Sequence, residues 1–375
     1  MQQEVKKIFY LESLRGLAAL SVAFYHFDIG SLLTNNAFVK NSWLMVDFFF
    51  VLSGFVIALN FQSKIYNFTD VINFQARRFF RLYPLHFLML LIYLCLELGK
   101  YFVQEQYGMV ANNPAFSINN ADSFIQNLFL VQVISQEYLT WNGASWSISA
   151  EFVAYFLFAI VILLSQRRDL IVTIFSIMIS FTAFLYLFHS NLSAGNGLMR
   201  CFYSFFLGVL VFNFRSKCFF NIHNTFSYLM LLLAILAIGF SEPENIIGLN
   251  IFVPIIFCIL LITLELSNQE TNIAINILNH RYLVYLGAIS YGIYMIHGLV
   301  WWMVKQTLKF IFQFPVIEDS RGSLQVLVSD QLLSSIILLV GMVLIILLSH
   351  ISYQFLEKPI NNFRGKKYKL GGEKN

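Results

Sequence analysis

The stretch SLRGLAALSVAFYHF, residues 13 to 27, carries Arg15 and His26 in an apolar run. Eleven residues make about three helical turns, so both side chains fall on nearly one face, about 16 Å apart along the axis. A neutral imidazole takes protons from hydroxyl groups, and a guanidinium binds anions. If the run crosses a bilayer, this stripe connects a cytoplasmic cation to a base near mid-membrane. The alternatives are an arginine that reaches the headgroups and a histidine that hydrogen-bonds between helices.

Two carboxylates also lie in apolar runs. Asp47 opens VDFFFVLSGFVIAL, and it is predicted either to contact His26 and raise its basicity or to lie at the outer interface. Glu151 follows WNGASWSISA, and it is a candidate partner of Arg15 or His26, or one half of a structural ion pair between helices. The Ser-Gly pair at 53–54 indicates close helix packing.

Three arginines cluster in QARRFFRLYPLHF, residues 75 to 87. Arg78 and Arg81 are spaced i,i+3 and Arg77 and Arg81 are spaced i,i+4, so the three side chains are neighbours on a helix. Guanidinium groups bind phosphate oxygens in a bidentate manner, which makes the cluster a candidate phosphate site. The alternative is a membrane anchor that binds lipid headgroups.

A last polar group lies in LGAISYGIYMIHG, residues 286 to 298. Tyr291, Tyr294 and His297 share one helical face at i,i+3 spacing, with Ser290 beside them. They could line a polar pocket, supply a second proton-carrying group or hydrogen-bond between helices. No histidine or carboxylate spacing calls for a metal ion, and no glycine loop calls for a nucleotide phosphate.

The elements that must position these residues are apolar helices. Of the 375 residues 58% are hydrophobic, only 12% are charged, and 41 are Phe. A soluble protein of this size would lack the polar residues to cover its surface. We predict an all-α polytopic membrane protein, with about ten transmembrane helices at 14–33, 43–61, 82–103, 145–164, 170–188, 198–214, 226–240, 247–265, 282–304 and 330–351.

The distribution of Lys and Arg predicts the orientation of these spans. Most Lys and Arg residues fall in the loops that lie on the same side of the membrane as the N-terminus. Because basic residues favour the cytoplasmic side and the number of predicted spans is even, both termini are predicted to be cytoplasmic. One transmembrane domain, 1–361, is followed by a basic tail, 362–375. The shorter apolar piece 124–134 is predicted to be re-entrant or interfacial. The scattered net charge of +4 argues against a nucleic-acid partner.

Taken together, these motifs resemble the membrane-bound acyltransferase family 3, the bacterial integral-membrane O-acyltransferases. The resemblance covers most of the chain. Seven segments carry it in order, and they are LESLRGLAALSVAFYHF, VDFFFVLSGFVI, RRFFRLYPLH, WNGASWSISAEF, MRCFYSFFLGVLVF, LGAISYGIYMIHG and SYQFLEKPINNF.

The resemblance implies transfer of an acyl group, usually acetyl, from cytoplasmic acyl-CoA to a hydroxyl group of a surface or lipid-linked glycan. Arg15 and His26 match the family's essential pair, and Glu151 matches the acidic residue after its WS motif. The family's cytoplasmic arginine motif matches Arg78 and Arg81, with Arg77 adjacent. Its late SY motif matches Ser290, Tyr291 and His297.

The residues and the resemblance together predict a mechanism. Arg78, Arg81 and Arg15 hold the CoA phosphates, and His26 takes the proton of the acceptor hydroxyl, with Glu151 or Asp47 stabilising the imidazolium. No metal is expected. The predicted location is the bacterial inner membrane. A separate partner protein in the periplasm is a possible addition to this scheme. The competing functions are a transporter or flippase for a glycan or lipid and a membrane scaffold without enzymatic activity.

Overall fold

A computed structural model describes residues 8–108, 113–135, 139–190, 196–218, 220–241, 249–318 and 324–365. Almost all of this chain is helical. The elements are α1 (Phe9–Tyr25), α2 (Ala37–Lys40), α3 (Met45–Phe61), α4 (Phe68–Tyr107), α5 (Ala121–Leu128), α6 (Gln132–Ser135), α7 (Trp146–Leu164), α8 (Asp169–His189), α9 (Gly197–Arg215), α10 (Asn224–Gly239), α11 (Val253–Leu266), α12 (Ile273–Leu278), α13 (Arg281–Ala288), α14 (Ser290–Phe310), β1 (Val316–Glu318), β2 (Leu324–Val326), α15 (Gln331–Ser352) and α16 (Lys358–Gly365).

The helices are those of a multi-pass membrane protein. Within the described residues six helical segments are long and apolar enough to cross a bilayer, namely those that contain α3, α4, α7, α8, α9 and α15. A seventh span arises if α13 and α14, which meet at a 64° bend, count as one. The all-α class is therefore confirmed, whereas the count of ten and the side of the termini are not. From residue 366 onward the predicted basic tail lies outside the described residues.

Helix lengths differ from the apolar runs in two places that matter for the site. The first predicted span, 14–33, is not a single helix, because α1 ends at Tyr25 and an irregular segment follows. By contrast, α4 has 40 residues and is about 60 Å long, twice the thickness of the hydrocarbon layer. The arginine cluster therefore lies in the same continuous helix as the third predicted span.

The centre of the bundle is the crossing of α3 and α9. In the α3 segment 78% of the most apolar 18-residue stretch is buried inside the protein, compared with 28% of the corresponding stretches of α4 and α8. Gly54 packs on the Phe205 carbonyl and Gly208 packs on the Val51 carbonyl, so the two backbones touch. This confirms the close packing predicted from the Ser-Gly pair.

The predicted piece 124–134 is built from the short helices α5 and α6, and side chains hold it in place. Asn127 donates to Thr140 at 2.9 Å and accepts from Ser145 at 3.2 Å. Ser149 donates to the Leu130 carbonyl at 2.7 Å. These bonds satisfy the polar groups of a non-helical stretch, and they fix the turn from which α7 begins.

Candidate active site

His26 directly follows the last residue of α1. Its Nδ1 lies 2.9 Å from the Val22 carbonyl oxygen, which also accepts the His26 backbone N–H at 3.2 Å. Trp301 of α14 donates to the next carbonyl, that of Ala23, at 2.8 Å. The orphan carbonyls at the end of α1 are thus satisfied. His26 as a residue is exposed, and its ring centroid lies 4.7 Å from that of His297.

Arg15 lies near the other end of the same helix. Its guanidinium forms a 3.2 Å ion pair with Glu12, and both side chains are largely buried. Around this point α1 packs against α13, where Gly16 approaches the backbone of Gly287. Arg15 therefore has its own carboxylate and does not contact Glu151, which the sequence offered as a partner.

Asp47 has a different partner from the one predicted. In the first turn of α3, its carboxylate forms a 2.6 Å ion pair with Arg200 of α9. The Arg200 guanidinium also stacks on Trp43, 4.8 Å from the ring centroid, and on Trp146, at 5.6 Å. No contact joins Asp47 to His26, because the helix that faces Asp47 is α9.

Breaking the Asp47–Arg200 pair is expected to destabilise the protein. Asp47→Ala leaves a guanidinium that is only 14% exposed without its counter-charge, which costs about 3 to 5 kcal/mol. Asp28→Ala breaks the Lys305–Asp28 pair, whose side chains are 30% and 38% exposed, and should cost about 1 kcal/mol or less. Thermal unfolding in detergent measures both. Equal losses of stability would contradict the assignment.

Glu151 is bound by hydroxyl groups. Ser53 of α3 and Tyr155, one turn along α7, both donate to its Oε1. Arg78 lies on the other side of Tyr155, with its guanidinium 6.0 Å from that ring and 4.8 Å from the ring of Phe61. Glu151 is therefore placed near the arginine motif, and among the described residues no hydrogen bond joins its carboxylate to His26.

The three arginines of α4 differ in their surroundings. Arg78 is buried, and its Nε has no hydrogen-bond partner among the residues that the structure describes. Arg81 is exposed, and Arg77 is partly buried. A buried guanidinium that faces aromatic rings and keeps an unused donor is costly, and an anion with oxygen acceptors would satisfy it.

The late motif contributes one residue that reaches His26. Ser290 donates to the Gly287 carbonyl at 2.8 Å, and Tyr291 donates to the Leu82 carbonyl of α4 at 2.5 Å. Tyr294 accepts from Ser147 of α7 at 2.8 Å. Of this motif only His297 contacts the imidazole of His26. The three residues predicted to share one face, Tyr291, Tyr294 and His297, therefore contact three different elements.

Several residues at these contacts are absent from the predicted set. Arg200 interrupts an apolar run as Arg15 does, and by the same reasoning the sequence could have marked it as a candidate for a buried ion pair. Tyr155 lies at i+4 from Glu151, a spacing that predicts contact on one helix. Ser53 was interpreted only as a packing residue. Within the described ranges no three His, Cys, Asp or Glu side chains are grouped to hold a metal ion.

Comparison with known protein families identifies one family. The family described as the acyltransferase domain (acyltransferase 3) matches residues 8–353. A protein of Acidianus two-tailed virus, named "Putative acetyltransferase ORF330", is 22% identical over 320 residues, which are 82% of this chain and 89% of that protein.

A second relative is shorter in its match. "Protein 2 in picA locus" of Rhizobium radiobacter is 37% identical over 93 residues, which are 24% of this chain and 45% of that protein. No solved structure matches the chain. Because the family covers nearly all of a helical, multi-pass chain, the protein belongs to the acyltransferase 3 family and is a membrane acyltransferase.

Proposed function

We propose that this acyltransferase moves an acetyl group from cytoplasmic acetyl-CoA to a hydroxyl group of a cell-surface or lipid-linked glycan, with His26 as general base. The observation that carries the proposal is the 2.9 Å contact between Nδ1 of His26 and the Val22 carbonyl. This bond uses the N–H of the neutral ring, so Nε2 keeps a lone pair for the hydroxyl proton. His26 is an exposed residue, which supports access of an acceptor from outside the helix bundle.

The proposed step is balanced without a metal. The acceptor oxygen bonds to the thioester carbon while its proton moves to Nε2 of His26. The C–S bond then breaks, and the sulfur leaves with the electron pair. The protonated His26 returns the proton to the thiolate, which gives free CoA. A route through an acyl-histidine has the same balance.

Arg78 supports the donor end of the proposal. Its buried Nε–H fits a phosphate oxygen of CoA, and the exposed Arg81 with Arg77 would add contacts at the same face of α4. Arg15, in the N-terminal half of α1 and three turns from His26, would hold the charged part of the donor while the thioester reaches His26. Ser290, Tyr291 and Asp47 have helix-to-helix or local bonds that suit a supporting role around the acceptor pocket.

The proposed setting is the bacterial inner membrane, with ten spans and cytoplasmic termini. The short apolar helices α10 and α11 would complete spans beyond the six or seven that are long enough by themselves. With ten spans, most Lys and Arg residues fall in the loops on the cytoplasmic side, and this distribution supports the topology. A separate periplasmic partner is compatible with it.

Replacing Arg78 is expected to weaken donor binding. Arg78→Gln removes a charged hydrogen bond to a phosphate, so the KM for acetyl-CoA should rise about tenfold or more. Arg281→Gln makes the same charge change at an exposed residue that contacts Tyr282, and it should leave KM unchanged. Equal KM values in both variants would remove Arg78 from the donor site.

The experiment that tests the function follows free CoA release from acetyl-CoA by the purified protein in nanodiscs. Release by the wild type that is lost in folded His26→Ala protein supports the proposal. If the wild type releases no CoA, acetyl-CoA binding is measured on the same sample by calorimetry. Folded protein that neither binds nor consumes acetyl-CoA would overturn the proposal and favour the transporter function.

A further inference from the structure

The carboxylates that were candidates to support His26, and the neighbouring Asp28, are all engaged by other residues. Asp47 pairs with Arg200, and Asp28 pairs with Lys305 at 2.8 Å. Glu151 accepts from Ser53 and Tyr155. No carboxylate in the described part of the chain is hydrogen-bonded to the imidazole of His26. A general base of this kind normally has a group behind it that stabilises the charged ring, and here another residue type must provide it.

Two rings lie beside the imidazole of His26, namely that of its chain neighbour Tyr25, at 4.8 Å between centroids, and a second imidazole from α14. His297 of α14 lies with its ring centroid 4.7 Å from that of His26, tilted by 49°. Its other ring neighbour is Tyr294, at 5.9 Å. The Trp301–Ala23 bond, one helical turn further along α14, holds the two helices together beside this pair.

His297 is also chemically unusual. The residue is 2% exposed, and its Nδ1 is buried without a hydrogen-bond partner among the described residues. An unsatisfied buried nitrogen costs free energy, so such groups in native proteins call for an explanation. A polar ring whose centroid lies 4.7 Å from that of a base that becomes positively charged during the reaction provides one.

We propose that His297 is the positioning residue of His26, and that its imidazole orients the ring and stabilises the positive charge that His26 acquires. This inference rests on the proposed function of His26 as the base. When the acceptor proton reaches Nε2 of His26, the neutral His297 ring interacts with the new imidazolium. The proton then leaves to the CoA thiolate, and His297 ends the cycle unchanged. His297 replaces the carboxylate that a histidine base usually has.

Three variants separate this role from simple packing. His297→Phe keeps an aromatic ring and removes the nitrogen lone pairs, and His297→Gln keeps an amide acceptor. The control is His86→Asn, because His86 is 1% exposed and also has a buried Nδ1 without a partner, but its Nε2 bonds to Asn127. Thermal unfolding is measured on each variant first, so that only folded proteins are compared.

The kinetic test is CoA release from acetyl-CoA. We expect kcat to fall about 10- to 100-fold in His297→Phe, as happens when a functional histidine loses its outer partner, with KM for acetyl-CoA unchanged. His297→Gln should recover most of this loss, and His86→Asn should show none. In a His26→Ala background His297→Phe should cause no further loss, because it acts through His26. Equal losses in Phe and Gln, or additive losses with His26→Ala, would overturn the proposal.

A second assay tests the pair without CoA. Exposed imidazoles hydrolyse p-nitrophenyl acetate, so the rate lost in His26→Ala is the contribution of His26. We expect this contribution to fall at least fivefold in His297→Phe and to persist in His297→Gln and His86→Asn. An unchanged contribution in His297→Phe, or none in the wild type, would contradict the assignment. A wild type that passes this assay but neither binds nor consumes acetyl-CoA would overturn the donor assignment and leave the pair standing.

Discussion

Replacing His26 with alanine is expected to lower the kcat for CoA release by about 10²- to 10⁴-fold, the usual contribution of a positioned general base. The KM for acetyl-CoA should change little, because the donor phosphates are assigned to the arginines of α4. The fold should persist, since His26 is exposed and its side chain makes one hydrogen bond, to the Val22 carbonyl of its own helix.

The matched control is His189→Ala. His189 is another exposed histidine that ends a helix, α8, and no role is assigned to it. Steady-state CoA release and thermal unfolding are measured on both proteins. Folded His26→Ala protein with wild-type turnover would remove His26 from the chemistry, and so would an equal loss of activity in His189→Ala.

Replacing Gly208 with valine is expected to prevent stable folding. A Cβ at this position would lie 2.0 Å from the Val51 carbonyl oxygen and 2.9 Å from the Phe55 nitrogen, both backbone atoms of α3. Backbone atoms do not move aside as a flexible side chain does, so α3 and α9 must separate. We expect a loss of about 3 kcal/mol or more, above the usual cost of overpacking. This loss is visible as a low yield of monodisperse protein and a lowered Tm.

Gly99→Ala in α4 serves as the control for Gly208→Val. No atom lies within 4 Å of the position that its Cβ would take, and Ala favours helix more than Gly does. Its Tm should equal or slightly exceed that of the wild type. A Gly208→Val protein with the same yield and Tm as Gly99→Ala would show that the two helices do not cross as closely as described.

The class of the protein follows from composition. With so few charged residues and so many apolar runs, the chain is expected to place its helices in a bilayer, and the described part of the structure has six helices long and apolar enough to cross one. The family was also visible in the order of the motifs, and its match covers residues 8–353. Helix ends were harder to predict, because apolar runs do not show where hydrogen bonding stops. Thus α1 ends at Tyr25 and α4 extends to 40 residues.

The sequence by itself determined which residues carry polar chemistry in an apolar chain, namely His26, Arg15, Glu151 and the arginines of α4. Periodicity shows which side chains share a face of one helix, and so it makes these residues candidates for contact with a neighbouring element. It does not show which helix lies opposite, because helices far apart in the chain pack by shape and by the pairing of buried charges. Only the tertiary structure therefore shows that Asp47 pairs with Arg200 and that Glu151 accepts from Ser53 and Tyr155. It also shows that His26 lies beside His297.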